Sequence, residues 1–195
     1  VGAYGYSSLT GRANLFYNDG SLPTTAATAD VTITGGATSN HFGFSLTSGD
    51  FNTDGRTDLA VGAYGYSSNN TGRTYLFYSQ NGQVNTNFST SGEATSNSFG
   101  RSLTAGDFNA DGKTDLAVGA SGYSSNTGRV YIFYNDGSIP TTAASADVTI
   151  TGETTNNYFG FFLTAGDWNA DGRTDLAVGA YGYSSGTGRA YLFYN

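Results

Sequence analysis

Short apolar and aromatic runs alternate along the chain with stretches of Gly, Asn, Asp, Ser and Thr. FGFSLTS (42–48), LAVGA (59–63), RTYLFY (73–78) and DVTITG (30–35 and again 147–152) are such runs. Their β-branched and aromatic content, bounded by turn formers, predicts β-strands. No window combines a 3.6-residue apolar period with capping signals, so helices are not expected. LAVGA is apolar on both alternating faces and predicts a strand covered on both sides. Its glycine lets a neighbouring sheet approach closely.

The pattern repeats as a whole. VGAYGYSS or VGASGYSS begins at Val1, Val61, Val118 and Val178, at spacings of 60, 57 and 60 residues. TGR followed by a hydrophobic run occurs at Arg12, Arg73, Arg129 and Arg189. Aromatic pairs recur in register at Phe16/Tyr17, Phe77/Tyr78, Phe133/Tyr134 and Phe193/Tyr194, as expected for rings that fill the space between stacked sheets. Periods of this length mark propellers, solenoids or arrays. Four strands per period is the make-up of a propeller blade. The expected fold is therefore all-β: a partial or open β-propeller of three full repeats plus a remainder.

One acidic loop occurs three times, as DFNTDGRTD (50–58), DFNADGKTD (107–115) and DWNADGRTD (167–175). Oxygen-bearing side chains stand at loop positions one, three, five and nine, and Gly stands at six. Hard cations such as calcium take about six to eight oxygen ligands, which a chain supplies by wrapping tightly around the ion. The candidate metal ligands are Asp50, Asn52, Asp54 and Asp58; Asp107, Asn109, Asp111 and Asp115; and Asp167, Asn169, Asp171 and Asp175. The opening matches the EF-hand pattern, but Val61, Val118 or Val178 stands where that motif needs a bidentate Glu, and the flanks are strand-like.

Charge follows the same loops. The chain has 15 acidic and 8 basic residues and a formal net charge of −7, with three carboxylates in each loop. Three divalent cations would bring the formal charge close to neutral. Without them the clustered carboxylates repel one another or take up protons, so binding should couple to rigidity.

These residues resemble the FG-GAP repeat of integrin α-chain N-terminal propellers and their bacterial relatives. The FG pair stands at Phe42-Gly43, Phe99-Gly100 and Phe159-Gly160, and each acidic loop follows it. The GAP element is Gly62-Ala63, Gly119-Ala120 and Gly179-Ala180, with Tyr64, Ser121 or Tyr181 in place of Pro. The resemblance covers essentially the whole chain. It implies a propeller with calcium in the hairpin between the first and second strands of each blade. It also implies that Arg56, Lys113 and Arg173 bind through their backbone carbonyls, and that the sites are structural. On this pattern residues 1–41 form a partial blade lacking its first strand and calcium loop. Residues 42–98 and 99–158 form blades with calcium loops, and 159–195 a blade lacking its last strand. A segment of a longer repeat protein, or a protomer that assembles with copies of itself into an oligomer or fibre, is expected.

Composition bounds the function. The chain has no Cys, which excludes disulfides and thiol chemistry. No apolar run is long enough for a membrane span. The acidic balance argues against nucleic acid. A polar, weakly charged surface suits an extracellular or cell-surface protein, where calcium is plentiful. His41 is the sole histidine and stands where other repeats have Ser98 and Tyr158; no catalytic set can be built on it, and no enzyme activity is expected. Trp168 replaces Phe51 and Phe108 and reads as packing. Asn69 and Asn87 begin N-x-S/T sequons. The leading expectation is a calcium-binding adhesive or scaffolding repeat protein whose partner is itself or a cell-surface protein or glycan. The alternatives are a glycan-binding propeller using Tyr4, Tyr6, Tyr64, Tyr66, Tyr123, Tyr181 and Tyr183, and an accessory domain of a larger secreted enzyme.

Overall fold

The computed structural model describes the chain except residues 18, 81 and 82 and the side chains of Gln83, Asn85, Thr86 and Asn87. Its strands form four antiparallel sheets in chain order. The first sheet holds β1 (Arg12–Leu15) and β2 (Val31–Thr34). The second holds β3 (Ser45–Gly49), β4 (Asp58–Ala63), β5 (Arg73–Gln80) and β6 (Gln83–Ser91). The third holds β7 (Phe99–Gly106), β8 (Asp115–Ala120), β9 (Arg129–Phe133) and β10 (Val148–Thr151). The fourth holds β11 (Phe159–Gly166), β12 (Asp175–Ala180) and β13 (Arg189–Phe193). Each four-stranded sheet is an up-and-down meander, and β3, β7 and β11 lie side by side. This is part of a propeller, with the first strands innermost.

The second strand lies inside each of the last three sheets, and past its leading aspartate every residue is apolar or Gly. Every residue of β8 is buried, Leu116 through Ala120 included, and β4 is nearly as covered. Aromatic rings from the third strands fill the gaps between sheets. Phe99 meets Tyr131 and Phe133 edge-on at 5.4 and 6.4 Å, and Phe159 meets Tyr191 and Phe193 at 5.2 and 6.3 Å. Edge-to-face pairs of this kind are the favoured ring geometry. The packing role expected for the recurrent aromatics holds for Phe77 and Phe133, both buried.

Neighbouring sheets also touch through backbone. Gly11 pairs with Phe42, Gly72 with Phe99 and Gly128 with Phe159, in single parallel bridges. The glycine of TGR takes φ +84° at Gly128, and a Cβ there would strike the Phe159 backbone. Only Gly meets both demands. Before Gly11 and Gly128 the YSS turn runs through the left-handed region, with Ser124 at φ 48° and Ser125 at φ 56°; before Gly72, Ser67 takes φ 71° and ψ 157° instead.

Several elements depart from the sequence expectation. The first VGAYG run is no strand: it makes one bridge, Gly2 to Ala13. The outer strand β6 has no counterpart among the runs singled out above, because QVNTNFSTS is mostly polar. The segment 138–146 leads into β10. It straps across the preceding sheet, with Ser91 bridging Thr142 and the Thr90 hydroxyl donating to the Pro140 carbonyl at 2.6 Å. Ile139 is 2% exposed there, whereas its counterpart Leu22 is 69% exposed. Trp168 is 43% exposed, more than the buried Phe51 and Phe108 it replaces, and its ring lies over Gly166 of its own hairpin.

Candidate metal centres

Each acidic loop joins the first and second strands of a sheet and closes on its own amides. In the first, Asp50 and Asn52 both accept from the Asp54 amide, at 3.1 and 3.0 Å. Asp50 also accepts from Gly55 at 2.8 Å, and Asp54 from the Arg56 amide at 2.9 Å. The second loop repeats this: Asp107 and Asn109 accept from Asp111, Asp107 from Gly112, and Asp111 from Lys113. So does the third, with Asp167, Asn169, Asp171, Gly172 and Arg173. These are Asx turns in series, which the D-x-N-x-D-G spacing favours. Gly55, Gly112 and Gly172 sit at φ of +80° to +85°, in open space.

The aspartate at position nine behaves differently. Asp58, Asp115 and Asp175 are buried. Asp115 accepts from the amides of Phe108 and Asn135, both at 2.8 Å, and so ties the loop to the end of β9. Asp58 does the same with Phe51 and Ser79, and Asp175 with Trp168 and Asn195. Burial pushes the Asp58 and Asp115 carboxyls above the usual range; the two amide donors pull each back, and the other two loop carboxylates push it up again. Asp171 is held below the usual range by the Arg173 amide and the Asn169 side chain.

The three carboxylates of a loop are thus near enough to feel one another. Among the described residues, no group of three or more Asp, Glu, His or Cys is gathered tightly enough to define a metal site. The reason is visible: each carboxylate is turned to backbone amides. The donor set is nonetheless all oxygen, with three carboxylates, one amide oxygen and the adjacent carbonyls in each loop. That set fits a hard cation and no soft one. The Lys113 ammonium lies 3.8 Å from Asp111, an exposed pair of little energetic weight.

The tyrosines of the YGYSS turns are already engaged. The guanidiniums of Arg12, Arg73, Arg129 and Arg189 cover the rings of Tyr6, Tyr66, Tyr123 and Tyr183 at 3.6–3.7 Å. One face of each ring is therefore closed to a sugar. Tyr64 stacks on His41 at 4.5 Å and Tyr181 on Tyr158 at 4.7 Å. His41 is thus a half-buried packing residue rather than a free surface group. Arg129 also pairs with Glu93 at 3.6 Å and Arg189 with Glu153 at 3.3 Å. Asn69 is exposed in its turn; the side chain of Asn87 lies outside the described residues. No described helix is long and apolar enough to cross a membrane.

Comparison with known proteins places these hairpins in context. Residues 42–77, 99–133 and 159–193 match the FG-GAP repeat. The chain is 36% identical over 156 residues to phosphatidylinositol-glycan-specific phospholipase D of Bos taurus, covering 71% of this chain and 18% of that protein. It is 36% identical over 173 residues to integrin alpha-M of Mus musculus, covering 78% and 14%. For integrin alpha-PS5 of Drosophila melanogaster the identity is 35% over 163 residues, covering 79% and 16%. The chain thus spans 18% or less of each of these relatives.

Proposed function

Because this chain belongs to the FG-GAP repeat family, we propose that it is a calcium-binding, non-catalytic part of an extracellular propeller with an adhesive or scaffolding role. One observation carries the reading: three hairpins place the same oxygen donors, in the same order, at the same end of their sheets. Calcium would be held by Asp50, Asn52, Asp54 and Asp58, with the Arg56 carbonyl, and by the equivalent residues of the other two loops. The ion supplies positive charge where the chain carries three clustered carboxylates, and so stiffens the hairpin. The charged side chains of Arg56, Lys113 and Arg173 have no electron pair to offer a cation.

Calorimetric titration of chelator-treated protein with calcium tests this. Three equivalents and a raised melting temperature are expected. No heat and no shift at millimolar calcium would sink the proposal.

The similarity to a phospholipase D supports a second reading, an accessory region of a larger enzyme. Lipase assays on the isolated chain should then show nothing, while a longer parent protein is active. The exposed Phe162, Leu192 and Tyr194 on the last sheet support a third element of the proposal, association with another sheet or a second copy. Light scattering with calcium and then chelator reads that association directly.

A further inference from the structure

The ends of the sheets opposite the acidic loops carry a second, unrelated feature. In the second and fourth sheets this end bears three rings each: His41, Phe44 and Tyr64 in one, Tyr158, Phe161 and Tyr181 in the other. The third sheet, between them, has Ser98, Arg101 and Ser121 at the same repeat positions. Two small residues and one cation thus replace three rings together. The Arg101 guanidinium fills the room left. It lies 4.1 Å from the Phe44 ring, 4.4 Å from Tyr64 and 4.1 Å from Phe161, so rings from both neighbouring sheets clasp it.

This cation is underpaired. Arg101 makes none of the ion pairs among the described residues. Its Nε is buried and finds no hydrogen-bond acceptor among them. Three ring faces offset part of the cost of removing the charge from water, but they accept no N–H hydrogen bond in the guanidinium plane. A half-buried guanidinium with spare donors in a planar fork is matched best by a carboxylate.

We propose that Arg101 is a carboxylate-binding site on the face opposite the acidic loops, and that its ligand is an acidic side chain of a protein partner. The ring faces decide for protein over acidic sugar. Phe44, Tyr64 and Phe161 each spend a face on the guanidinium; Tyr64 also stacks on His41, and Phe44 and Phe161 meet other rings tilted or edge-on, so a pyranose finds no free platform there. A Glu or Asp side chain needs only the fork and an apolar rim. This site does not depend on calcium.

The test is a titration of nitrogen-15-labelled protein, followed at the Arg101 Nε–Hε signal, which Arg101→Lys identifies by its loss. The probe is N-acetyl-Gly-Glu-Gly-amide, with the Gln analogue as control and glucuronic acid as the sugar arm. A saturable shift with the Glu peptide, roughly tenfold tighter than with Gln, is expected. Equal response to Glu and Gln overturns carboxylate recognition. Response to glucuronic acid alone overturns the protein partner. No response to any probe up to about 50 mM, far above the millimolar range that a single charged pair reaches, makes Arg101 packing between sheets and nothing more. The Glu–Gln comparison uses the unaltered chain, so it stands even if variants at Arg101 fold poorly.

Discussion

Asn135 donates its side-chain amide to the main-chain carbonyl of Asp50, 3.0 Å away and 85 residues earlier. Its own backbone amide donates to Asp115 at 2.8 Å, and its side-chain oxygen accepts from Gly137. One fully buried residue at the end of β9 thus anchors the acidic loop of its own sheet and the first residue of the loop before it. Asn195 repeats the arrangement toward Asp107, at 3.5 Å.

Replacing Asn135 with Ala leaves the Asp50 carbonyl and the Gly137 amide without their partners. An unmet buried group costs about 1–3 kcal/mol, so Asn135→Ala should lower the unfolding free energy by that order in urea titrations. Asn135→Asp sets a carboxylate beside Asp115 and should be worse. Equal stability of all three proteins would mean that the tie carries no weight.

Gly128→Ala and Gly188→Ala pose the same backbone problem in different surroundings. Both glycines have positive φ, +84° and +78°, but a Cβ on Gly128 collides with the Phe159 backbone, while on Gly188 it meets nothing nearer than 3.7 Å. Gly188→Ala should cost only the left-handed penalty, about 1–2 kcal/mol. Gly128→Ala should cost clearly more, because two sheets must separate. Thermal melts of the two variants side by side decide it.

Loop variants separate ligands from bystanders. Asp111→Ala should abolish one calcium equivalent in a calorimetric titration. Lys113→Ala should leave the stoichiometry intact and the affinity within roughly twofold, since only its carbonyl is asked to bind. Loss of a site in Lys113→Ala with retention in Asp111→Ala would refute the assignment.

Burial pushes the Tyr131 hydroxyl well above its usual 10, and the Glu93 charge adds to it. The folded state therefore keeps a proton that the unfolded chain gives up. This part of the stability is fully present below pH 10 and is lost as pH rises above it. Absorbance at the phenolate band should show Tyr131 ionising only together with unfolding. Reversible ionisation of every tyrosine near pH 10 in folded protein would contradict this.

The strand–loop–strand hairpins were legible because both their signals are local. LAVGA declares burial on both faces, and D-x-N-x-D-G declares its own turn. The dual role of Asp58 and Asp115 was not legible. A carboxylate at loop position nine reads as a ligand, and only the fold reveals that Ser79 or Asn135 ends beside it. The strap at 138–146 was hidden for the same reason: Ser-Ile-Pro-Thr-Thr looks like linker until β6 lies beneath it. Arg101 was passed over because one cation in a repeat of aromatics is visible only when the repeats are set side by side.

That strap changes how the molecule should come apart. Propeller blades are ordinarily joined by a linker and by the faces they share, so each could open alone. Here a segment of one sheet is stitched over the outer edge of the sheet before it, through Thr90, Ser91 and the buried Ile139. The second and third sheets should therefore exchange their amide hydrogens as one cooperative unit. The first sheet, whose matching Leu22 is largely exposed, should fray independently of them.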